Sequence, residues 1–573
     1  MLIDWDVPIE MDDGTVLRAD VFRPDDGEPH PVVLAHGPYA KGLAFQDGYP
    51  DAWNALVGDH PEVAARSSNR YQAWEVCDPE RWVPDGYVCV RVDARGWGRS
   101  PGYIEPWSRR EADDFRDCIE WAGTQHWSTG KVGLLGISYY AINQWQVAAL
   151  QPPHLTAMIP WEGFADFYRD LSYHGGIASD MKSVWYRRTI STVQHGLGER
   201  SFISANTGEL VAGPETCSYT VLHDSRSDFP REIDSHTLDD DFHRDRSAVF
   251  EKITVPFLSA GNWGGSSLHL RGNVEAFVRA ASAQKWLEIH GREHWTEFYT
   301  DYGIALQKRF FDHFLKGADN GWDRQPPVML RVRTVDGGFI DRTENEWPIA
   351  RTQWTSWYLD PFARTLSADM PTTDAQLSFA ALDSPGVTMT SAPMAVDTEI
   401  TGPVAATVFV SSTTTDADIF LVLRVFDPDG AEVVLKGAVD PHTPIGHGWL
   451  RASHRELDPA LSTPWRPYHT HTNPQPLTPG EIYRLDIEIW PTSIIVPAGY
   501  RIGLSIRGTD YEYDGPVAEL SHFKGSRMRG VGIYTHADPT HRPTAIYGGA
   551  TTVLTGPDRP AALLLPVIPP AQS

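Results

Sequence analysis

Six short apolar runs punctuate the first half of the chain: PVVLAHG from Pro31, YVCVRVD from Tyr87, KVGLLG from Lys131, LTAMIP from Leu155, VPFLSAG from Val255 and WLEIHG from Trp286. They are apolar throughout instead of alternating, and Gly or Pro bounds them, which is the pattern of strands covered on both faces. Between them lie stretches with helical spacing. Glu111 to Ala122 carries Phe115, Cys118, Ile119 and Ala122 on one stripe, and Tyr139 to Leu150 stops at Pro152 and Pro153. About Glu297 to Leu315 places Leu306, Phe310 and Phe314 four apart before Gly317, a C-cap signal. Strands alternating with helices predict an open α/β sheet. At the N-terminus, two alternating segments around Asp12, Asp13 and Gly14 predict a strand pair joined by a turn.

The alternation breaks twice in the sheet region. About 90 residues separate Pro160 from Val255, and their polar, helix-compatible composition predicts an inserted helical cap. A second interruption, about Gly42 to Pro79, predicts another lid element. From about Thr352 the pattern changes to short alternating strands (VAATVFVSS, DIFLVLRVFD, YRLDIEIWP, YRIGLSIRG) with turn signals such as Asp427 to Gly430, which predicts a β-sandwich. The expected division is an α/β core over 1–163 and 250–350, a cap over 164–249 and a β-sandwich over 351–573.

Composition narrows the partners. Across 573 residues, 75 Asp and Glu against 49 Lys and Arg leave a formal charge of −26, which argues against nucleic acid and against an anionic membrane surface. No apolar run approaches the roughly 20 residues that span a bilayer. With no signal-peptide pattern at the start, a cytoplasmic protein is expected. Cys77, Cys89, Cys118 and Cys217 show no paired spacing, so buried, reduced thiols are expected, and no metal or organic cofactor is implied. Three weaker signals receive plain readings. RGWGRS from Arg95 reads as a tight loop, His469 and His471 as part of a sandwich loop, and Asp239 to Asp241 as a solvated cap face. Self-association, as a homo-oligomer, is left open.

The chemistry concentrates at KVGLLGISYYAINQW. A strand running into a helix through Gly136, Ile137, Ser138 and Tyr139 places the serine on a sharp turn with its hydroxyl above the sheet. The backbone N–H of Tyr139 then points where an oxyanion develops. Tyr140 stands where G-x-S-x-G has its second glycine, so that match is imperfect.

GISYYA resembles the Gly-x-Ser-Tyr-x-Gly of the cocaine esterase and Xaa-Pro dipeptidyl-peptidase family of serine α/β-hydrolases, with Ala141 at the last small position. RVDARGWGRSPG from Arg91 and AGYRIGLSIRGTDY near the C-terminus agree with it. The resemblance covers nearly the whole chain and implies an α/β-hydrolase core, a helical cap and a C-terminal jelly-roll β-sandwich. It also implies that Tyr39, in LAHGPYAKG, is the side-chain half of the oxyanion hole, and that His294, in the loop beyond Gly291, is the general base. His290, inside the strand, reads as structural.

The resemblance fails at the acid. The family's Asp falls on Gly264, and no carboxylate occurs between Val255 and Arg271. Glu162, at the end of the preceding strand, is the candidate replacement, and the order Ser138, Glu162, His294 keeps that of the fold. Asp166, or a structural Glu162 paired with Arg169, are the alternatives. Trp161, Trp263 and Trp295 lie near strand ends and are candidate walls of a substrate pocket. The expected function is hydrolysis of a small-molecule carboxylic ester, or an amide, through an acyl-enzyme. An Xaa-Pro dipeptidyl peptidase or acylase is the alternative inside the family, with Glu162 then free to hold a substrate ammonium. A catalytically impaired binding protein is the alternative outside it.

Overall fold

The computed structural model describes residues 1–520 and 526–570. The apolar runs form the middle of a ten-stranded sheet. Its strands are β1 (Leu2–Glu10), β2 (Val16–Arg23), β3 (His30–Gly37), β4 (Val88–Asp93), β5 (Ser128–Ile137), β6 (Leu155–Trp161), β7 (Phe257–Asn262), β8 (Lys285–His290), β9 (Val328–Arg333) and β10 (Phe339–Glu344), in the order β1-β2-β4-β3-β5-β6-β7-β8-β9-β10. From β4 to β9 neighbouring strands run parallel, while β1, β2 and β10 pair antiparallel at the edges. The central strands are buried along almost their whole length, which is why their sequences do not alternate.

Helices α1 (Arg109–Gly123), α2 (Tyr139–Ala148), α3 (Met181–Val193), α4 (Leu270–Arg279) and α5 (Asp301–Lys316) follow. Ser108 caps α1 by accepting from the Glu111 N–H, and Gly317 ends α5 in the left-handed conformation that its sequence signalled. The helix expected from Glu297 is split, however. Thr300 is extended and accepts from the Gly303 N–H, so a four-residue turn (Thr296–Tyr299) precedes α5 as a separate element. One face of the sheet holds Val32, Leu34, Val90, Val132, Leu134 and Met158 against α1 and α2. Full burial of side chains of this kind contributes about 1.5 to 3 kcal/mol each.

The first insertion carries the short helices Phe45–Gly48, Pro50–Asp59 and Pro61–Ala65. The second, after β6, begins with a π-helical turn (Phe167–Ser172) and a two-residue hairpin, then α3 and the short helices Tyr219–Asp224, Phe229–Ser235 and Asp241–Arg244. The acidic run there is solvated only in part, with Asp241 exposed and its two neighbours half-buried. Asp239 receives Arg169 at 2.8 Å, and Asp240 caps the last short helix. Cys217 is only partly buried, unlike Cys77, Cys89 and Cys118, and all four are free thiols.

Beyond residue 350 the chain forms a twelve-stranded sheet, with long strands β11 (Thr398–Ser412), β12 (Asp418–Phe426), β13 (Tyr483–Val496) and β14 (Arg501–Arg507) where the alternating runs lie. A separate cluster seals this domain to the ten-stranded sheet, in which Trp263, Leu287, Ile289 and Val328 meet Phe420, Trp449 and Trp490. The loop through His469 and His471 also reaches across, its carbonyls accepting from Arg169 of the second insertion.

Candidate active site

Ser138 sits between β5 and α2 at φ 58°, ψ −115°. For a non-glycine residue this is a strained conformation that costs on the order of 1 to 3 kcal/mol, and it persists only where the surroundings enforce it. The enforcement is visible. The Ser138 N–H donates to the carbonyls of both Trp161 and Glu162 at 3.1 Å, and the Ile137 N–H donates to the Glu75 carbonyl at 3.0 Å. Gly136 has no room for a side chain, since a Cβ there would lie 2.4 Å from the Tyr140 Cβ. Glu75 and Glu162, whose carbonyls accept the Ile137 and Ser138 N–H groups, also have positive φ.

Tyr39 and Tyr139 occupy one side. Their rings meet edge to face at 6.4 Å. The Tyr39 hydroxyl accepts from the Trp185 indole at 3.1 Å, which leaves its own proton to donate. Burial and the charge of Glu75 hold its pKa well above the usual phenol value, so it remains a donor. The Tyr139 N–H is the first of α2 and has no acceptor within the helix. Its phenol is anchored elsewhere, donating to Glu111, while Trp107 stacks on the ring at 4.4 Å.

On the other side lies a line of alternating carboxylates and imidazoles. Glu162 Oε2 receives His294 Nδ1 at 2.8 Å, and Glu162 Oε1 receives His290 Nε2 at 3.0 Å and Asn262 Nδ2 at 3.1 Å. His290 Nδ1 is 2.7 Å from Glu288 Oε2, and His294 Nε2 is 3.0 Å from Glu75 Oε1. Glu162 is fully buried. Burial opposes its charge, but the charge of His294 and the hydrogen bonds from both histidines outweigh it and hold the carboxyl at about 2. Burial likewise works against protonation of His290 and His294, and their carboxylate partners push both up to about 10. Glu75 is raised, chiefly by burial.

The imidazole within reach of Ser138 is not His294. It is His269, whose Nε2 lies 3.3 Å from Ser138 Oγ, at the entry to α4. His269 Nδ1 accepts the Phe164 N–H at 3.2 Å, so its proton resides on Nε2 and points at the serine. Burial, and secondarily His294, hold its pKa well below the ordinary value. A neutral ring already protonated at Nε2 can donate to Ser138 but cannot take its proton. His294 lies behind it, stacked at 5.2 Å with an interplanar angle of 14°.

Sequence reasoning passed over His269, Glu75 and Asn262. The first is the one histidine in GNWGGSSLHLRG, a stretch noted for its missing carboxylate and for Trp263. Asp166, the alternative acid, instead caps the π-helical turn and pairs with Arg169 at 2.9 Å. Glu162 has no Arg169 contact among the described pairs. The gap at position 264 has a steric cause. A Cβ on Gly264 would lie 2.4 Å from Gly437 Cα, because a loop of the β domain packs there, with the Ala438 N–H on the Gly264 carbonyl and the His294 N–H on the Ala438 carbonyl.

The three tryptophans diverge. Trp161 is buried against His290 at 5.0 Å, and Trp295 packs 5.5 Å from Trp74 beside Glu75. Trp263 donates its indole N–H to the Arg331 carbonyl and packs on Trp347, which commits it to the seam with the β domain instead of a wall over Ser138. Among the described residues no cluster of His, Cys, Asp and Glu could hold a metal ion, and no helix is long and apolar enough to cross a membrane.

Strand-to-helix serine, paired imidazole and carboxylate, and converging donors are the parts of a serine hydrolase. Residues 13–296 match the family described as X-Pro dipeptidyl-peptidase (S15 family), and residues 320–550 match the X-Pro dipeptidyl-peptidase C-terminal non-catalytic domain. A crystal structure of a CocE/NonD family hydrolase from Staphylococcus aureus aligns with a TM-score of 0.84 at 30% identity, covering 99% of this chain and 94% of that one. The cocaine esterase of Rhodococcus sp. is 26% identical over 98% of both chains. An α-amino acid ester hydrolase shares the fold, with a TM-score of 0.66 at 15% identity over 99% of this chain and 96% of that one. The chain belongs to the CocE/NonD family of hydrolases. It is a serine hydrolase, and the binding-protein alternative, which rested on the missing Asp and the C-terminal jelly-roll module, gives way to that membership.

Proposed function

We propose that the protein hydrolyses carboxylic esters of small molecules through an acyl-enzyme on Ser138, with His294 as general base and Glu162 as its acid. The observation that carries this reading is a direct linkage. The Ser138 amide is tied to the Glu162 carbonyl, and the carboxylate of that same residue holds His294 Nδ1. In the free enzyme His294 Nε2 rests on Glu75, so the base must first exchange that contact and lose a proton. It then accepts the Ser138 proton as Oγ attacks the acyl carbon. Tyr39 OH and the Tyr139 N–H stabilise the tetrahedral oxyanion. Collapse breaks the ester bond, the alcohol leaves with the proton from His294, and a water activated by the same ring releases the acid. His269 holds the serine oxygen from its Nε2–H side, and the insertion over 164–249 caps the crevice. No cofactor takes part.

The test is a panel of p-nitrophenyl esters and Xaa-Pro-p-nitroanilides, run on the wild type and on Ser138→Ala, His294→Gln and His269→Gln. Ester turnover is expected, with losses of about 10⁴-fold or more for Ser138→Ala and His294→Gln, and a smaller loss for His269→Gln. Faster anilide than ester turnover would make the protein a dipeptidyl peptidase. A His269→Gln loss as deep as that of His294→Gln would transfer the role of base.

A further inference from the structure

We propose that His290 is a positioning residue of the hydrolase site, held as an imidazolium between Glu288 and Glu162, which fixes the Glu162 carboxylate and restrains its pull on His294. This rests on the reading of His294 as base and extends it one step deeper into the protein. The argument begins with hydrogen-bond chemistry. An ionised carboxylate only accepts, so an imidazole bonded to a carboxylate at each nitrogen must donate from both. His290 meets that condition, with Nδ1 2.7 Å from Glu288 and Nε2 3.0 Å from Glu162, and the ring is fully buried. Glu288 accepts in turn from the Tyr302 hydroxyl at 3.0 Å, so the chain of donors ends in a phenol that needs no further partner.

One buried carboxylate thus serves two imidazoles. Shared with a permanent cation, Glu162 attracts the His294 proton less than a lone carboxylate would, and its two oxygens are fixed at the angle that His294 Nδ1 requires. The rest of the surroundings supplies opposing charges. Glu75 faces His294 Nε2 from the first insertion and His269 stacks on the ring from α4. Arg331 of β9 acts on Tyr302 and Glu288, and Tyr534 of the β domain lies in the field of Glu162 and Glu75. His290 and His294 are the cationic groups bonded directly to Glu162, and only His290 is excluded from Ser138 chemistry by its place within β8.

Two measurements test this. In the pH profile of kcat/KM, His290→Gln should move the acid limb upward by about one pH unit or more, a tenfold change in proton affinity, with the alkaline plateau kept within about tenfold. Glu75→Gln should move the same limb down, because it removes the carboxylate at Nε2. Nitrogen-15 NMR of histidine-labelled, full-length protein should show two imidazoles with both nitrogens protonated up to at least pH 9, those of His290 and His294, and His290→Gln should lose one of them. A folded His290→Gln with an unmoved acid limb overturns the proposal. So does a wild-type spectrum in which His290 is a neutral tautomer, and that spectrum decides the matter if the variant does not fold. Fluorophosphonate labelling of Ser138 in the same samples reports separately on the hydrolase reading, which stands or falls without His290.

Discussion

At the scale of single residues the site is a set of protons whose places are assigned by partners. His269 is kept from acting as a base by one backbone N–H, that of Phe164, and Tyr39 is kept as a donor by one indole, that of Trp185. Tyr39→Phe should therefore lower kcat by about 10²-fold or more and, by leaving the buried Trp185 indole without its acceptor, lower stability by about 1 to 3 kcal/mol; steady-state kinetics beside calorimetry would check both. Glu162→Gln removes the shared acceptor of two imidazoles. Its cost should be about 10⁴-fold in kcat together with about 3 to 5 kcal/mol of stability, the penalty for leaving buried charge uncompensated. The pH dependence of stability follows with a definite sign. Glu162, depressed from 4.5 to about 2, contributes fully above pH 4.5 and loses its contribution as pH falls toward 2. His290 and His294, raised from 6.5 to about 10, contribute fully below pH 6.5 and lose theirs as pH rises toward 10. Chemical denaturation across pH should show the advantage of wild type over Glu162→Gln to be largest between those limits. Ser138 could be read from sequence because its chemistry needs local geometry, a strand, a small residue and a helix in succession. His269 could not, because its role depends on a tautomer fixed by a residue about a hundred positions away in the chain.

At the scale of elements, the ends of β5, β6, β7 and β8 do the assembly. Their apolar cores were legible as runs without alternation, which predicts parallel pairing, while the order in which β3 and β4 exchange places was not legible. What could not be read was the loop after β7. Its lack of a carboxylate looked like a defect in a triad, whereas the packing of Gly437 against Gly264 makes it a consequence of space. Gly264→Asp should therefore not restore a family-like acid. The account expects a variant of lower thermal stability and lower esterase rate, because the Ala438 loop that also holds the His294 backbone must move. A variant of unchanged melting temperature would show that the packing there is looser than described. The split at Thr300 teaches the same lesson on a smaller scale. Four-residue spacing of Leu306, Phe310 and Phe314 reports a helix correctly, while the local Thr300 to Gly303 cap, invisible to periodicity, decides where it starts.

At the scale of the whole molecule, two sheets meet over a tryptophan-rich seam, and the loops after β7 and β8 are hydrogen-bonded to Ala438 of the β domain. Part of the tryptophan content expected around a substrate serves this seam, as Trp263 does. The domain that matches a non-catalytic family nonetheless holds the backbone of His294, whose N–H donates to the Ala438 carbonyl. All of this converges on a single claim, that Ser138 is acylated and then released. Rapid mixing with a p-nitrophenyl ester, followed by acid quench and intact-mass analysis, tests it directly. The account predicts a burst of one p-nitrophenol per chain and an acyl adduct mapping to Ser138, both absent from Ser138→Ala. Ester turnover without any adduct on Ser138, retained by Ser138→Ala, would contradict it.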